Sequence, residues 1–242
     1  VIRVDAERTA RRLRNRILSA LLPGYCLLCA GRCADVLCSG CRDDLPLLSG
    51  HRCPVCASAT AEAGVCPACR RQAPHFDATA CPCAYAFPAD RLIQTLKYGH
   101  QLAIARLLAE LMLAAPRPTG DLVIPVPLAD TRLRERGFNQ AVEIARPLAR
   151  ALQLPLATSL CRRQVDTLAQ ARLPWHVRRR NVRAAFACIE DLTGKSVVVV
   201  DDVMTTGATL DELAATLKRA GAVRVCNWVA ARTPQPGQTA RP

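Results

Sequence analysis

Lysine is nearly missing from this chain. Of its 33 basic residues only Lys97, Lys195 and Lys218 are lysines, and the others are arginine. With so much alanine beside it, this bias fits a GC-rich genome that writes Arg for Lys. It explains the choice of base, not its excess: 20 acidic residues leave a formal net charge of +13. Aromatics are also scarce, at 4%. Trp175 is the only one in either basic cluster, residues 3–16 and 162–183. Without an aromatic ladder there is no platform for stacked single strands. The charge points to a polyanionic ligand and does not argue for specific DNA recognition. No apolar run is long enough to span a bilayer. An initiator Met is lacking, so a few residues are expected before Val1. The basic opening stretch has only a short apolar run and no small-residue cleavage site. That argues against a secretory signal and predicts a cytoplasmic chain.

Cysteine, by contrast, is plentiful. Fourteen are present, and eleven precede residue 84. Four C-x-x-C pairs emerge: Cys26/Cys29, Cys38/Cys41, Cys53/Cys56 and Cys66/Cys69. Two thiolates at that spacing grip one tetrahedral zinc ion, and two pairs complete a closed four-cysteine site. A disulfide framework is the weaker reading in a reducing compartment. Sequential pairing gives two small ribbons, whereas a cross-braced arrangement links the first pair with the third. Short polar intervening loops favour the sequential form. Either way the sites are closed and therefore structural. Large apolar residues are few between Cys26 and Cys69, so this segment is expected to fold only with metal. Cys33 and His51 are substitute ligands by type, although cavity-filling or surface roles suit them better. Cys81, Cys83, Cys161, Cys188 and Cys226 read as small core residues.

Residues 6–21 place Ala6, Ala10, Leu13, Ile17 and Leu21 on one helical stripe opposite arginines, a basic amphipathic helix expected to pack on the zinc module. Helices are predicted over 102–115, 139–152 and 209–220, with a break or kink at Pro147. Strands are predicted near 121–127, 156–160, 184–189, 196–201 and 223–230. The alternation predicts an α/β domain with a mostly parallel sheet and helices on both faces. Residues 161–183 lack apolar periodicity and hold seven arginines, as a functional or disordered loop does. The tail 233–242 reads as disordered.

The richest stretch is VVVVDDVMTTGATL, residues 197–210. Four consecutive β-branched residues suit a strand buried on both faces. The turn that follows leads into a helical pattern, so backbone N–H groups and a helix dipole converge on a volume fit for phosphate. Gly207 permits close backbone approach, and Thr205, Thr206 and Thr209, with Ala208 between them, add hydroxyl donors and backbone N–H groups. Asp201 and Asp202 repel phosphate, but suit sugar hydroxyls or a magnesium ion beside it. The plainer alternative is a buried strand whose polar turn merely caps a helix. Two acids, three threonines and a glycine at these offsets argue against it. The pattern resembles the 5-phosphoribosyl-1-pyrophosphate (PRPP) signature of type I phosphoribosyltransferases.

Four cysteine pairs, LKYGH (96–100), PVPLADTRLRERGFNQA (125–141), DTLAQ with RRRNVRAAF (166–186) and the PRPP signature follow in that order. Together they closely resemble the ComF family of competence-associated proteins, from about Leu21 to Ala231. The resemblance implies a double zinc ribbon joined to a type I phosphoribosyltransferase-like fold. The layout is then a basic helix (1–22), ribbons (23–75), a transferase-like domain (76–232) and a tail (233–242). It also implies a link to DNA uptake during natural transformation, or to carbon-source utilisation in relatives. Under it, Val126, Pro127 and Leu128 form the loop whose backbone N–H groups face pyrophosphate, Pro127 having none to offer, and Arg132, Arg134 and Arg136 offer bidentate phosphate contacts. A solvated basic helix start is the plainer reading of those arginines. Asn139 and Gln140 are candidates for ligand contact, though capping alone accounts for Asn139. Lys97 either balances pyrophosphate or serves the helix dipole. Residues 161–183 take the place of a closing lid, with Arg163, Thr167, Gln170, Arg179 and Asn181 at the family's spacing. LPWHV (173–177) departs from it. Trp175 and His176 are therefore poor catalytic candidates, and His51, His75 and His100 read as surface or turn residues.

Three functions compete. The first is a phosphoribosyltransferase that takes Mg–PRPP and an unassigned acceptor. The second is a non-catalytic PRPP or nucleotide sensor, and the third an adaptor that binds single-stranded DNA or uptake proteins. The complete acid pair favours a working PRPP site, since a degenerate sensor need not keep both acids.

Overall fold

A computed structural model describes residues 24–164 and 185–234. The expected basic helix over 6–21, most of the arginine-rich segment (Arg179 included) and nearly all of the tail lie outside the described residues. The chain divides into two compact units, Val1–Leu45 and Pro46–Pro242.

In the first unit, β1 (Gly24–Tyr25) pairs antiparallel with β2 (Arg32–Cys33), and a short helix α1 (Ser39–Asp43) follows. Cys26, Cys29, Cys38 and Cys41 converge there. The second unit begins with a similar device. Cys53 and Cys56 sit on a turn, and Cys66 and Cys69 on the start of α2 (Pro67–Arg71). The repeat is close: Ala30 and Ala57, each directly after a C-x-x-C pair or its turn, have φ of +57° and +58°. Their N–H groups donate to the carbonyls of Cys26 and Cys53, both at 2.9 Å.

The chain then enters the sheet through β3 (Ala78–Ala80) and β4 (Cys83–Ala84). Helices α3 (Ala89–Gly99) and α4 (Ala103–Ala114) precede β5 (Leu122–Pro125). Next come α5 (Asp130–Arg136), α6 (Gln140–Leu152), β6 (Cys161–Arg163), β7 (Phe186–Cys188) and β8 (Ser196–Met204). Helix α7 (Ala208–Arg219) leads into β9 (Arg224–Arg232). The sheet order is β3-β9-β8-β5, with β4 also on β9, and every pairing in it is parallel. Val197 to Val200 are fully buried because both faces are covered. On one face Leu210, Leu213 and Leu217 of α7 pack with Val197, Val199, Val225 and Val229. On the other, α6 lies against β8 and β5, and α4 against β9 and α6. Among the described residues no helix is long and apolar enough to cross a membrane.

Two expectations need correction. The strand predicted near 156–160 is a single parallel bridge, Leu156 with Val123. Pro155 accepts from Val123 N–H (2.8 Å) but has no N–H to extend a ladder. The following strand falls later, at β6, which pairs antiparallel with β7 away from the main sheet. Nor does Pro147 break its helix: α6 runs unbroken through it. The proline lies on the half-buried side beside exposed Arg146, where water can take the orphaned Glu143 carbonyl.

Candidate functional site

Both four-cysteine clusters pair sequentially, with all four sulfurs of each within 4.8 Å of one another. Thiolates on one tetrahedral zinc, bound at ~2.3 Å, stand ~3.8 Å apart. Cys29 and Cys38 sulfurs are 3.7 Å apart, as are those of Cys56 and Cys66. Backbone N–H groups already point at the sulfurs: Gly31 at Cys29 (3.4 Å) and Cys66 at Cys53 (3.3 Å). Burial would raise the Cys53 thiol, but the N–H groups of Cys66, Cys56 and Val55 bring it down to about 7. The donor set fits zinc in a structural role. Cys33 is not part of it and donates instead to the Asp35 carbonyl.

The second centre lies at the carboxyl end of β8, beyond the sheet edge where open α/β folds take ligands. A cavity of about 350 Å³ there is lined by Lys97, Arg132, Gln140, Asp201, Asp202, Thr205 and Thr209, with the 126–128 loop. Asp202 is buried, and the last turn of α3 brings Lys97 into an ion pair with it. Gln140 Nε2 donates to the other carboxylate oxygen at 3.1 Å, and Arg136 donates to Gln140 Oε1. Burial alone would raise Asp202, but Lys97, together with Asp201 and Gln140, holds it below the usual carboxylate range. For Asp201 the balance is reversed. Burial, then the charge of Asp202, pushes it well above that range, against the partial opposition of Lys97. Lys97 in turn is desolvated, yet Asp202 raises it above an ordinary lysine. The acid pair thus favours one negative charge rather than two.

Beyond the acids the chain turns at Gly207, where φ is +84°. A Cβ there would stand 2.7 Å from Met204 Cε. Gly207 caps α7 with no side-chain bond; Thr206 Oγ1 takes the Ala208 N–H at 3.3 Å. The first N–H groups of a helix have no intrahelical carbonyl to meet, and the dipole at such an end favours an anion. Thr206, Gly207 and Ala208 line a different cavity, of about 250 Å³, with Cys56 and Cys69 of the second ribbon. The turn is a wall between the two.

Other predicted residues divide between cavity-lining and structural positions. Asn139 caps α6 by accepting from Ala141 N–H (2.9 Å) and donates to the Val126 carbonyl (3.0 Å), so it anchors the proline loop. Arg134 is exposed, while Arg136 lies 5.4 Å from the Tyr98 ring. His75 is exposed, as read from the sequence, and meets Asp211 Oδ1 at 3.0 Å. Tyr85 and Arg163 also line the main cavity. The residue sequence reasoning missed is Arg232, buried at the end of β9 and bonded to the carbonyls of Met204 and Thr205. Nothing in local spacing marks it, because it looks like the solvated end of a strand.

Fold and cysteine clusters define the class, a phosphoribosyltransferase-type domain with a double zinc ribbon. Residues 136–237 match the family described as phosphoribosyl transferase domain, and residues 17–70 the double zinc ribbon domain. The chain is 36% identical over 237 residues to the DNA utilization protein YhgH of Shigella flexneri, covering 88% of this chain and 98% of that protein. It is 32% identical over 225 residues to competence protein F of Haemophilus influenzae (86% and 96% covered). With competence protein ComFC of Bacillus subtilis it shares 26% over 191 residues (73% and 75%). The chain belongs to this ComF/YhgH family of competence and DNA-utilization proteins.

Proposed function

We propose that the protein binds Mg–PRPP at the carboxyl end of β8 and transfers its phosphoribosyl group. One observation carries the reading: the acid pair, with Asp202 buried, shares one cavity with Thr205 and Thr209 of the turn into α7, with Lys97 and with Arg132. In this reading the 5′-phosphate rests on residues 205–209. Ribose hydroxyls and the magnesium ion meet Asp201 and Asp202, and pyrophosphate faces the 126–128 loop, Lys97 and Arg132. When the bond from C1 to pyrophosphate breaks, the electron pair leaves with that group. A nitrogen nucleophile then attacks an oxocarbenium-like C1, steadied by the negative charge of the acid pair, and gives up its proton to solvent. The names of the relatives support the wider role, a part in the uptake or use of DNA.

Titration calorimetry tests the site. Wild type is expected to bind Mg–PRPP, and the Asp201→Asn/Asp202→Asn double variant to lose that binding. Equal affinity of the two proteins would remove the acid pair from the site. Pyrophosphate release in the presence of mixed bases separates transfer from mere recognition.

A further inference from the structure

Arg232 is a buried cation whose hydrogen bonds all go to neutral oxygens. Its Nε donates to the Cys56 carbonyl at 3.0 Å. Its Nη1 serves the carbonyls of Met204 (3.1 Å), Thr233 (3.0 Å) and Thr205, and Nη2 the Ser58 hydroxyl (3.3 Å). Among the described residues no carboxylate pairs with it. A buried guanidinium without counter-charge is costly, so the compensation must come from elsewhere. Asp211 lines the same cavity, but its Oδ1 is engaged by the His75 N–H (2.6 Å) and Nδ1 (3.0 Å), which leaves the second four-cysteine cluster as the source. Cys56 belongs to it, and Cys56, Cys69 and Arg232 line one cavity. Four thiolates around one Zn²⁺ carry a net charge of about −2.

The other side of the same guanidinium holds Met204 and Thr205, where β8 ends and the Gly207 turn begins. We propose that Arg232 is a positioning residue that couples the second zinc site to the ligand turn. The metal fixes four thiolate charges beside Arg232, those charges hold the guanidinium, and its fork fixes the carbonyls from which the turn springs. Linkage is reciprocal, so a ligand that orders the turn also tightens the hold on this zinc. Only that last step rests on the Mg–PRPP reading.

The test uses the full zinc-loaded chain and amide hydrogen exchange across residues 203–209. Loss of the second metal through Cys66→Ser is expected to speed exchange in the turn about ten-fold. Loss of the first through Cys29→Ser leaves it unchanged. Arg232→Lys keeps the charge but not the fork: it retains the second zinc against a chelator while the turn exchanges faster. Arg232→Met loses both. Saturating Mg–PRPP slows chelator-driven release of one zinc in wild type and not in Arg232→Lys. If wild type fails to bind Mg–PRPP, the proposed function falls and the exchange measurements still decide the coupling. Turn exchange unchanged in Arg232→Lys and Cys66→Ser overturns it. So does acceleration in the Val197 to Val200 amides equal to that in the turn, because the metal then holds the whole sheet. Should Arg232→Met not fold, Arg232→Lys and Cys66→Ser carry the decision.

Discussion

Asp201 and Asp202 are neighbours in sequence with opposite titration behaviour. Asp201 has a folded value above the unfolded one, so the native state favours its neutral form. Its contribution is fully present below the unfolded value of about 4 and is lost as pH rises through the folded value. Asp202 is depressed, and its contribution is lost as pH falls through the folded value. Thermal melts across a pH series are therefore expected to fall with rising pH in wild type more steeply than in Asp201→Asn. Identical slopes would mean that Asp201 is not the strained acid. A second expectation concerns Gly207, whose φ of +84° penalises any side chain. Gly207→Ala should cost about 1–3 kcal/mol in urea denaturation, mostly from backbone strain, since Met204 Cε can move aside.

Among the elements, α6 carries the clearest lever. Pro147 forfeits one helical hydrogen bond without breaking the helix. Pro147→Ala restores a donor for the Glu143 carbonyl and should stabilise the protein by about 2 kcal/mol, the helix penalty of proline less its entropy advantage in the unfolded chain. A rise in denaturation midpoint at unchanged slope is the measurement. At the start of the helix, Asn139→Ala removes both the cap on Ala141 and the tie to Val126. It should cost about 1–2 kcal/mol, and calorimetry should show weaker Mg–PRPP binding, because the proline loop loses its anchor. Elements with strong local signals were legible: the valine run of β8, the apolar stripe of α4 and the glycine turn each speak within a few residues. Strand β6 was not, because Cys161–Arg163 pairs with Phe186–Cys188 across a long insertion that no periodicity reveals.

At the scale of the molecule, metal and fold divide unequally. Two zinc ions per chain are expected by elemental analysis, falling to one in Cys29→Ser and in Cys66→Ser. The first loss should leave the main thermal transition in place, since that site lies in the unit Val1–Leu45; the second should lower it. The fixed two-residue spacing made both clusters legible. Lys97, Arg132 and Gln140, which the family resemblance singled out, and the acids of the PRPP-like motif line one cavity. Illegible was what supports that cavity from behind. The bond from Arg232 to Cys56 joins residues 176 positions apart, and only the register of β9 brings them together.

That strand has a kinetic consequence. β9 lies between β3 and β8 and also receives β4, yet it is the latest of the described strands in chain order. Until residues 224–232 leave the ribosome, β3 and β4 have no partner in the sheet and β8 is covered on one edge only. Pairing of such large sequence separation closes slowly and leaves apolar edges open in the meantime. Synthesis is thus the stretch in which this valine-rich chain is most exposed to aggregation, and the second zinc ribbon, complete by Cys69, can take up its metal long before the sheet it adjoins is finished.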